Sequence, residues 1–311
     1  MILVTGGTGF VGKALIRQLA ESGYPVRTLI RPSPDSPSLP TGMPVEVAVS
    51  SLTDERGLRG AMVGVDTVYH LAGAEWRGAR ADLMQTDIQG SRAVAQAAVE
   101  AGVKRLFFVS HLGADRASAY PVLKAKAISE EHIRRSGINY TILRSAILYG
   151  PDDGFTTGLA RLLHAVPRIF FMPSDGKVML QPLWVEDLVT CLTWALEDPD
   201  TINTTTTVGG PEYLSFNQIV DLVMDKIDIR RTLLSLHPPY MRGLTVWLES
   251  LFPGLPVSVY WLDYLAANRT CALDTVPRIF GLLPARMSHR LGYLEGQQWR
   301  QPLIRSMFKR R

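Results

Sequence analysis

Short apolar runs alternate with helical patterns from the first residue onward. Met1 to Thr5 is apolar with β-branched members, and Ala14, Leu15 and Leu19 then repeat at helical spacing until Ser22-Gly23 stops them. This predicts a strand, a turn and a helix. The same alternation continues. Strands are predicted at Val26 to Ile30, Val45 to Val49, Val65 to Leu71, Arg105 to Val109 and Tyr140 to Leu143. Between them, helices are predicted near Leu58 to Met62, over Ser91 to Ala101 before Gly102, and over Val122 to Ser136 before Gly137. Strands alternating with helices imply an α/β fold with a parallel sheet covered on both faces.

The turn after the first strand is Gly6-Gly7-Thr8-Gly9-Phe10-Val11-Gly12. A glycine turn between a buried strand and a helix start presents free backbone N–H groups to a phosphate. Gly6 permits the tight turn, Gly9 lets the backbone approach a pyrophosphate, and Gly12 lets helix and strand pack closely. Phe10 and Val11 stand in the same cradle. The later strand tips supply Ser51 and Leu52, and Leu71, Ala72 and Gly73, where a cofactor lies outside the carboxyl ends of the strands. Arg31 and Ser33 follow the second strand where a carboxylate would hold ribose hydroxyls. Asp35, farther out, reads as a turn residue. An arginine there suits a 2′-phosphate, so NADP(H) is expected over NAD(H). His70, inside an apolar strand, reads as a core histidine.

Beyond Pro151 the pattern leaves the sheet. A helix over Leu159 to Ala165 and a polar turn at Met172 to Lys177 come first. The segment from Val178, with a helix at Val185 to Glu197 and a strand at Thr204 to Val208, returns to the nucleotide domain. Ser215 is the expected N-cap of a helix from Phe216 to Lys226. The expected domains are therefore 1–150 with 178–208 for the nucleotide, and 151–177 with 209–311 for substrate or partner. Residues 240–266 are rich in large apolar side chains, including Trp247, Phe252, Tyr260, Trp261 and Tyr264, and Pro253 and Pro256 split them into two helix-sized pieces. Three readings of that stretch stand: a cover for the C-terminal core, a surface for a protein partner or an apolar substrate, or an amphipathic element on a membrane.

Composition narrows the class. At 311 residues, 46% apolar and 20% charged, the chain has the make-up of a globular protein. A net charge of +4 without a long block of like charges gives no reason to expect nucleic acid, and Lys309-Arg310-Arg311 reads as a solvated tail. Cys191 and Cys271 lack metal or disulfide spacing and suit a reducing compartment. The histidines are scattered, so no metal is expected. The first strand begins at Met1, no apolar run is long enough to span a bilayer, and a cytoplasmic or membrane-peripheral location is expected.

Over roughly its first 215 residues the chain resembles the short-chain dehydrogenase/reductase superfamily in its extended or atypical branch. The resemblance is carried by the glycine turn, His70-Leu71-Ala72-Gly73, Val109-Ser110-His111-Leu112-Gly113-Ala114, Tyr140-Thr141-Ile142-Leu143-Arg144, Tyr149-Gly150-Pro151, and Gln181 to Leu188. It looks most like NmrA-type proteins and the NAD(P)-binding accessory subunit of respiratory complex I. The resemblance implies a doubly wound Rossmann sheet of about seven strands with a smaller, mainly helical C-terminal region. It also implies a Ser, Tyr and Lys set, in which Tyr moves the substrate proton, Lys holds the nicotinamide ribose and Ser orients the reacting oxygen. Ser110, Tyr120 with Lys124 one helical turn on, and Lys126 are the residues available. Counting back without gaps from Thr141 to Arg144 places the family lysine on Lys126 and its tyrosine on Val122. That departure leaves two classes open: an NADP(H)-dependent oxidoreductase on a carbonyl or alcohol, and a protein that holds the nucleotide without turning it over. Sugar-nucleotide epimerisation with NAD is a third.

Overall fold

The computed structural model describes residues 1–33, 39, 42–251, 256, 258–297 and 299, apart from the side chain of Trp76. Asp35, Phe252, Pro253 and the Lys309-Arg310-Arg311 tail lie outside the described residues.

Short apolar runs form the strands β1 (Ile2–Thr5), β2 (Val26–Ile30), β3 (Val45–Val49), β4 (Thr67–His70), β5 (Arg105–His111) and β6 (Tyr140–Ser145), all largely buried except the edge strand β3. Short strands follow: β7 (Leu148–Tyr149), β8 (Ile169–Pro173), β9 (Met179–Leu180) and β10 (Leu183–Trp184). Next come β11 (Thr204–Val208), β12 (Leu214–Ser215) and β13 (Thr232–Leu236). Seven of them make one sheet in the order β11-β6-β5-β4-β1-β2-β3, with every neighbouring pair parallel. The strand order reverses beside β1, which opens the crevice where doubly wound sheets bind ligands. The fold is the doubly wound Rossmann arrangement.

Helices α1 (Phe10–Glu21), α2 (Glu55–Ala61), α3 (Gly90–Glu100), α4 (Pro121–Arg135), α5 (Thr156–Ala165), α6 (Val185–Glu197) and α7 (Phe216–Lys226) follow in chain order. The last three are α8 (Pro238–Leu251), α9 (Val259–Tyr264) and α10 (Thr275–Phe280). Their boundaries follow local chemistry. Asp54 accepts the Gly57 N–H at the start of α2, and Ser215 and Gln218 close a capping box on α7, as Ser215 led one to expect. Pro121 occupies the first turn of α4.

One face of the sheet is sealed by Leu15, Ile16 and Leu19 of α1 with Leu188, Leu192 and Ala195 of α6. The other is sealed by Leu58 of α2, Val94 and Ala98 of α3, and Ile133 of α4. A separate core joins α5 and α7 with Tyr264 and Leu291. Strand β11 lies at one edge of the sheet and α6 covers one of its faces. The boundary at 209 differs from expectation, because Val276 and Phe280 of α10 pack into the α1/α6 core. The parallel pair β8–β13 also lay outside the expectation.

The aromatic stretch divides. Tyr264 is buried and Tyr260 and Trp261 pack against the C-terminal core, whereas α8 leaves Tyr240, Val246, Trp247 and Leu251 exposed. Among the described residues, no helix is long and apolar enough to cross a membrane.

Candidate functional site

The glycine turn is built by close approach. Gly6 has φ +76°, and a Cβ there would sit 2.7 Å from the Leu71 carbonyl carbon and the Ala72 nitrogen. Both the backbone conformation and the space at that position therefore call for glycine. At Gly12 a Cβ would overlap the Gly6 carbonyl oxygen and lie 2.7 Å from Gly7 Cα, so the helix presses directly on the turn. Gly7 faces inward onto Thr28 and Ile16, a packing role the sequence did not reveal. Gly9 is different: a Cβ there would meet only the Gly6 oxygen, at 3.2 Å. As N-cap of α1 it offers no side-chain acceptor, so no capping side chain answers the first N–H groups of the helix, at Phe10, Val11 and Gly12. These donors and the open side of Gly9 form a cradle suited to a pyrophosphate.

The remaining cofactor candidates lie along the same edge of the sheet. Arg31 and Ser33 are exposed just past β2, Ser51 and Leu52 are half-buried past β3, and Leu71, Ala72 and Gly73 are half-buried past β4. Residues 31–33, which follow β2 directly, include a guanidinium and no carboxylate.

On the other side of β4, α4 delivers Lys126. Its Nζ lies 3.2 Å from Asp87 Oδ1, 3.6 Å from Glu75 Oε2 and 5.5 Å from the centre of the Phe108 ring. Burial pushes the ammonium pKa down, but Glu75 and Asp87 push it up by more and keep it charged. Burial likewise works against Glu75, yet Lys126 and His111 hold its carboxyl well below the usual range. Asp87 moves the other way, raised by burial and, against the pull of Lys126, by the neighbouring charge of Glu75. Gly73 makes this pairing feasible, because a Cβ there would overlap Glu75 and lie 3.1 Å from Asp87 Oδ1.

The pairing expected between Tyr120 and Lys124 does not form a shared inner face. Tyr120 is the N-cap of α4 with φ −90° and ψ 117°, held extended by Pro121, and Lys124 is exposed while Lys126 is buried. Val122 is half-buried and lines a cavity of about 10 Å³ with Tyr120, Leu123, Tyr260, Asp263 and Tyr264. Ser110 is fully buried in β5, opposite Arg144, whose guanidinium is forked onto Glu130 at 2.9 and 2.7 Å.

Three participants carried no signal that sequence reasoning could use: Glu75, Asp87 and Arg269. His111 stood inside a recognised motif without a role. It caps the tip of β5, with Nε2 3.8 Å from Glu75 and its ring 6.1 and 6.2 Å from those of Tyr260 and Tyr264. Of the buried side-chain polar atoms without a hydrogen-bond partner among the described residues, Glu75 Oε2 and Asp87 Oδ1 are ion-paired to Lys126 and His111 Nε2 faces Glu75, which leaves the Tyr264 hydroxyl and Arg269 Nη2 beside them unanswered. Buried polar atoms are nearly always satisfied in proteins, so these two are candidates to meet a ligand.

A family model described as NAD(P)H-binding matches residues 6–164, which run from the glycine turn through α5. The chain belongs to that family. It is 29% identical over 284 residues to the mouse (Mus musculus) protein named NADH dehydrogenase (ubiquinone) 1 alpha subcomplex subunit 9, mitochondrial, covering 88% of this chain and 72% of that one. It is 26% identical over 296 residues to NAD(P)H azoreductase of Xenophilus azovorans, covering 92% and 94%. Of some other relatives the chain spans 58% of the length or less. Among solved structures, a nucleoside-diphosphate-sugar epimerase from Staphylococcus aureus shares the fold with a TM-score of 0.74 at 16% identity, over 94% of this chain and 99% of that one. The matched region begins at Gly6, in the glycine turn.

Proposed function

We propose that this protein is an NADP(H)-dependent oxidoreductase acting on a carbonyl or alcohol group. The observation that carries the reading is the buried Lys126, held between Asp87 and Glu75 beyond the tips of β4 and β5. A desolvated lysine with specific carboxylate partners is the kind of perturbed group that active sites concentrate. Bound in that cradle, the nicotinamide cofactor would supply the hydride. Lys126 would hold the nicotinamide ribose, and Arg31, exposed beyond β2, would meet the 2′-phosphate. Tyr120, which lines the cavity with Tyr260 and Tyr264, would give its hydroxyl proton to the carbonyl oxygen as the carbon is reduced, and Ser110 would orient that oxygen. Two free cysteines support a reducing, cytoplasmic setting. The exposed side of α8 supports peripheral association through residues 240–266.

A second reading has specific support. Val122 occupies the position where the resemblance places the tyrosine, and one relative is named as a subunit of a larger enzyme. Under that reading the nucleotide is bound and kept.

The deciding experiment follows NADPH consumption against a panel of aldehydes, ketones and quinones, with wild type, Lys126→Met and Tyr120→Phe. Turnover that falls at least a hundredfold in Lys126→Met, with the fold intact by circular dichroism, is the expected result. Tight NADPH binding without consumption of any panel member would favour the second reading. In parallel, Arg31→Ala should weaken NADPH at least tenfold and leave NADH affinity unchanged.

A further inference from the structure

Arg269 is 7% exposed, and no carboxylate among the described residues pairs with it. Its position is fixed by the backbone, since its N–H donates to the Met179 carbonyl at 2.9 Å and the chain bridges to Leu180 there. Its Nη1 lies against Gly113, where φ is +81° and any Cβ would overlap the guanidinium, so glycine at 113 makes room for it. The guanidinium carbon is 5.8 Å from the centre of the Tyr120 ring and 5.6 Å from that of Tyr264. Its Nε makes only a long bond, 3.4 Å, to the Tyr264 carbonyl, and Nη2 has no partner.

A buried cation without a counter-ion is costly, and stacking on tyrosine faces returns only part of that cost. The charge next door offers no relief, because Glu75 and Asp87 are already engaged with Lys126. Asp263, which lines the same cavity, is engaged by Arg242. The Arg269 guanidinium therefore has no direct counter-ion among the described residues.

We propose that Arg269 anchors a single carboxylate of the substrate, against the rings of Tyr120 and Tyr264. The proposal rests on the reading that the reaction takes place beyond the tips of β4 and β5, and it names the substrate class: a monocarboxylate that carries its reacting carbonyl on an apolar or aromatic body. The planar fork of a guanidinium matches the two oxygens of a carboxylate. The Tyr120 and Tyr264 rings beside it favour an apolar or aromatic group next to the carboxylate.

Isothermal titration of the NADPH-loaded protein tests this with three acid and amide pairs: acetate and acetamide, benzoate and benzamide, phenylacetate and phenylacetamide. At least one acid should bind tenfold or more tightly than its amide. That preference should vanish in Arg269→Met and persist in part in Arg269→Lys, with NADPH affinity unchanged in both. Removal of an unpaired buried charge should also leave the melting temperature of Arg269→Met no lower than that of wild type. No acid preference in the wild type, or a preference that survives Arg269→Met, overturns the proposal. So does inorganic phosphate binding as tightly as the best acid, which would require a doubly charged ligand. If NADPH itself fails to bind, the oxidoreductase reading fails separately, and the same titrations without nucleotide still judge Arg269.

Discussion

His70 shows how much a single side chain can be decided by its surroundings. It hydrogen-bonds Thr5 Oγ1 at 2.7 Å and Ser91 Oγ at 2.9 Å, lies flat on Phe108, and is fully buried. Burial first, and then the charge of Lys126, push its pKa down to about 3. The folded protein therefore keeps this imidazole neutral, while the unfolded chain protonates it near its ordinary value. Stability from this residue is full above about pH 6.5 and declines as the pH falls towards the folded value, at about 1.4 kcal/mol per unit. At pH 5 the loss should reach about 2 kcal/mol by that slope. Urea unfolding at pH 7.5 and pH 5, compared with His70→Gln, checks it: the variant should lack this part of the pH dependence. A loss of equal size in both proteins would remove His70 as its source. The same residue marks what was legible beforehand. An apolar strand around a histidine is a local pattern and announced a core role. Arg269 and Lys126 are unlike it, because the first meets its neighbours only after two distant segments pack, and the second was visible only through the spacing of a resemblance.

At the scale of elements, the glycine turn separates packing from binding. Gly12→Ala would drive a methyl group into the Gly6 carbonyl and Gly7 Cα, all of it backbone. The turn or α1 must shift, and a loss of about 1–3 kcal/mol of stability is expected. Gly9→Ala meets only the Gly6 oxygen at 3.2 Å, so the fold should tolerate it within about 0.5 kcal/mol. Nucleotide affinity should nevertheless fall at least tenfold in both variants, since the methyl group added by Gly9→Ala would occupy the approach to the cradle. Thermal melts beside NADPH titrations separate the two effects; equal destabilisation by both substitutions would contradict the assigned geometry. The sheet strands were readable because the central ones are short, buried apolar runs and the edge strands β3 and β11 are rich in β-branched residues. The β8–β13 pair was not, because Ile169, Phe171 and Leu234 remain exposed and the two strands come from distant parts of the chain. The segment from Glu75 to Gln89, which supplies both carboxylates to Lys126, is mostly 3-10 and π turns with no clean period.

The molecule as a whole is less divisible than a two-region reading suggests. Val276 and Phe280 sit in the core between α1 and α6, so a chain ending at Val208 would lose two buried side chains worth about 1.5–3 kcal/mol each. Such a fragment should show a broad, weakly cooperative denaturant transition, whereas a sharp transition near that of the full chain would show the nucleotide region to be autonomous. Integration of the two regions also bears on access. Glu249 of α8 accepts the Ala79 N–H at 2.9 Å and the Val259 N–H at 3.4 Å, and so ties the segment bearing Glu75 to the start of α9. Tyr260 and Tyr264 of α9 close over His111 from above. The segment that bears Glu75 and the helix that stacks on His111 are thus mechanically joined through one carboxylate on α8, so a displacement of α9 would be transmitted to the surroundings of Lys126.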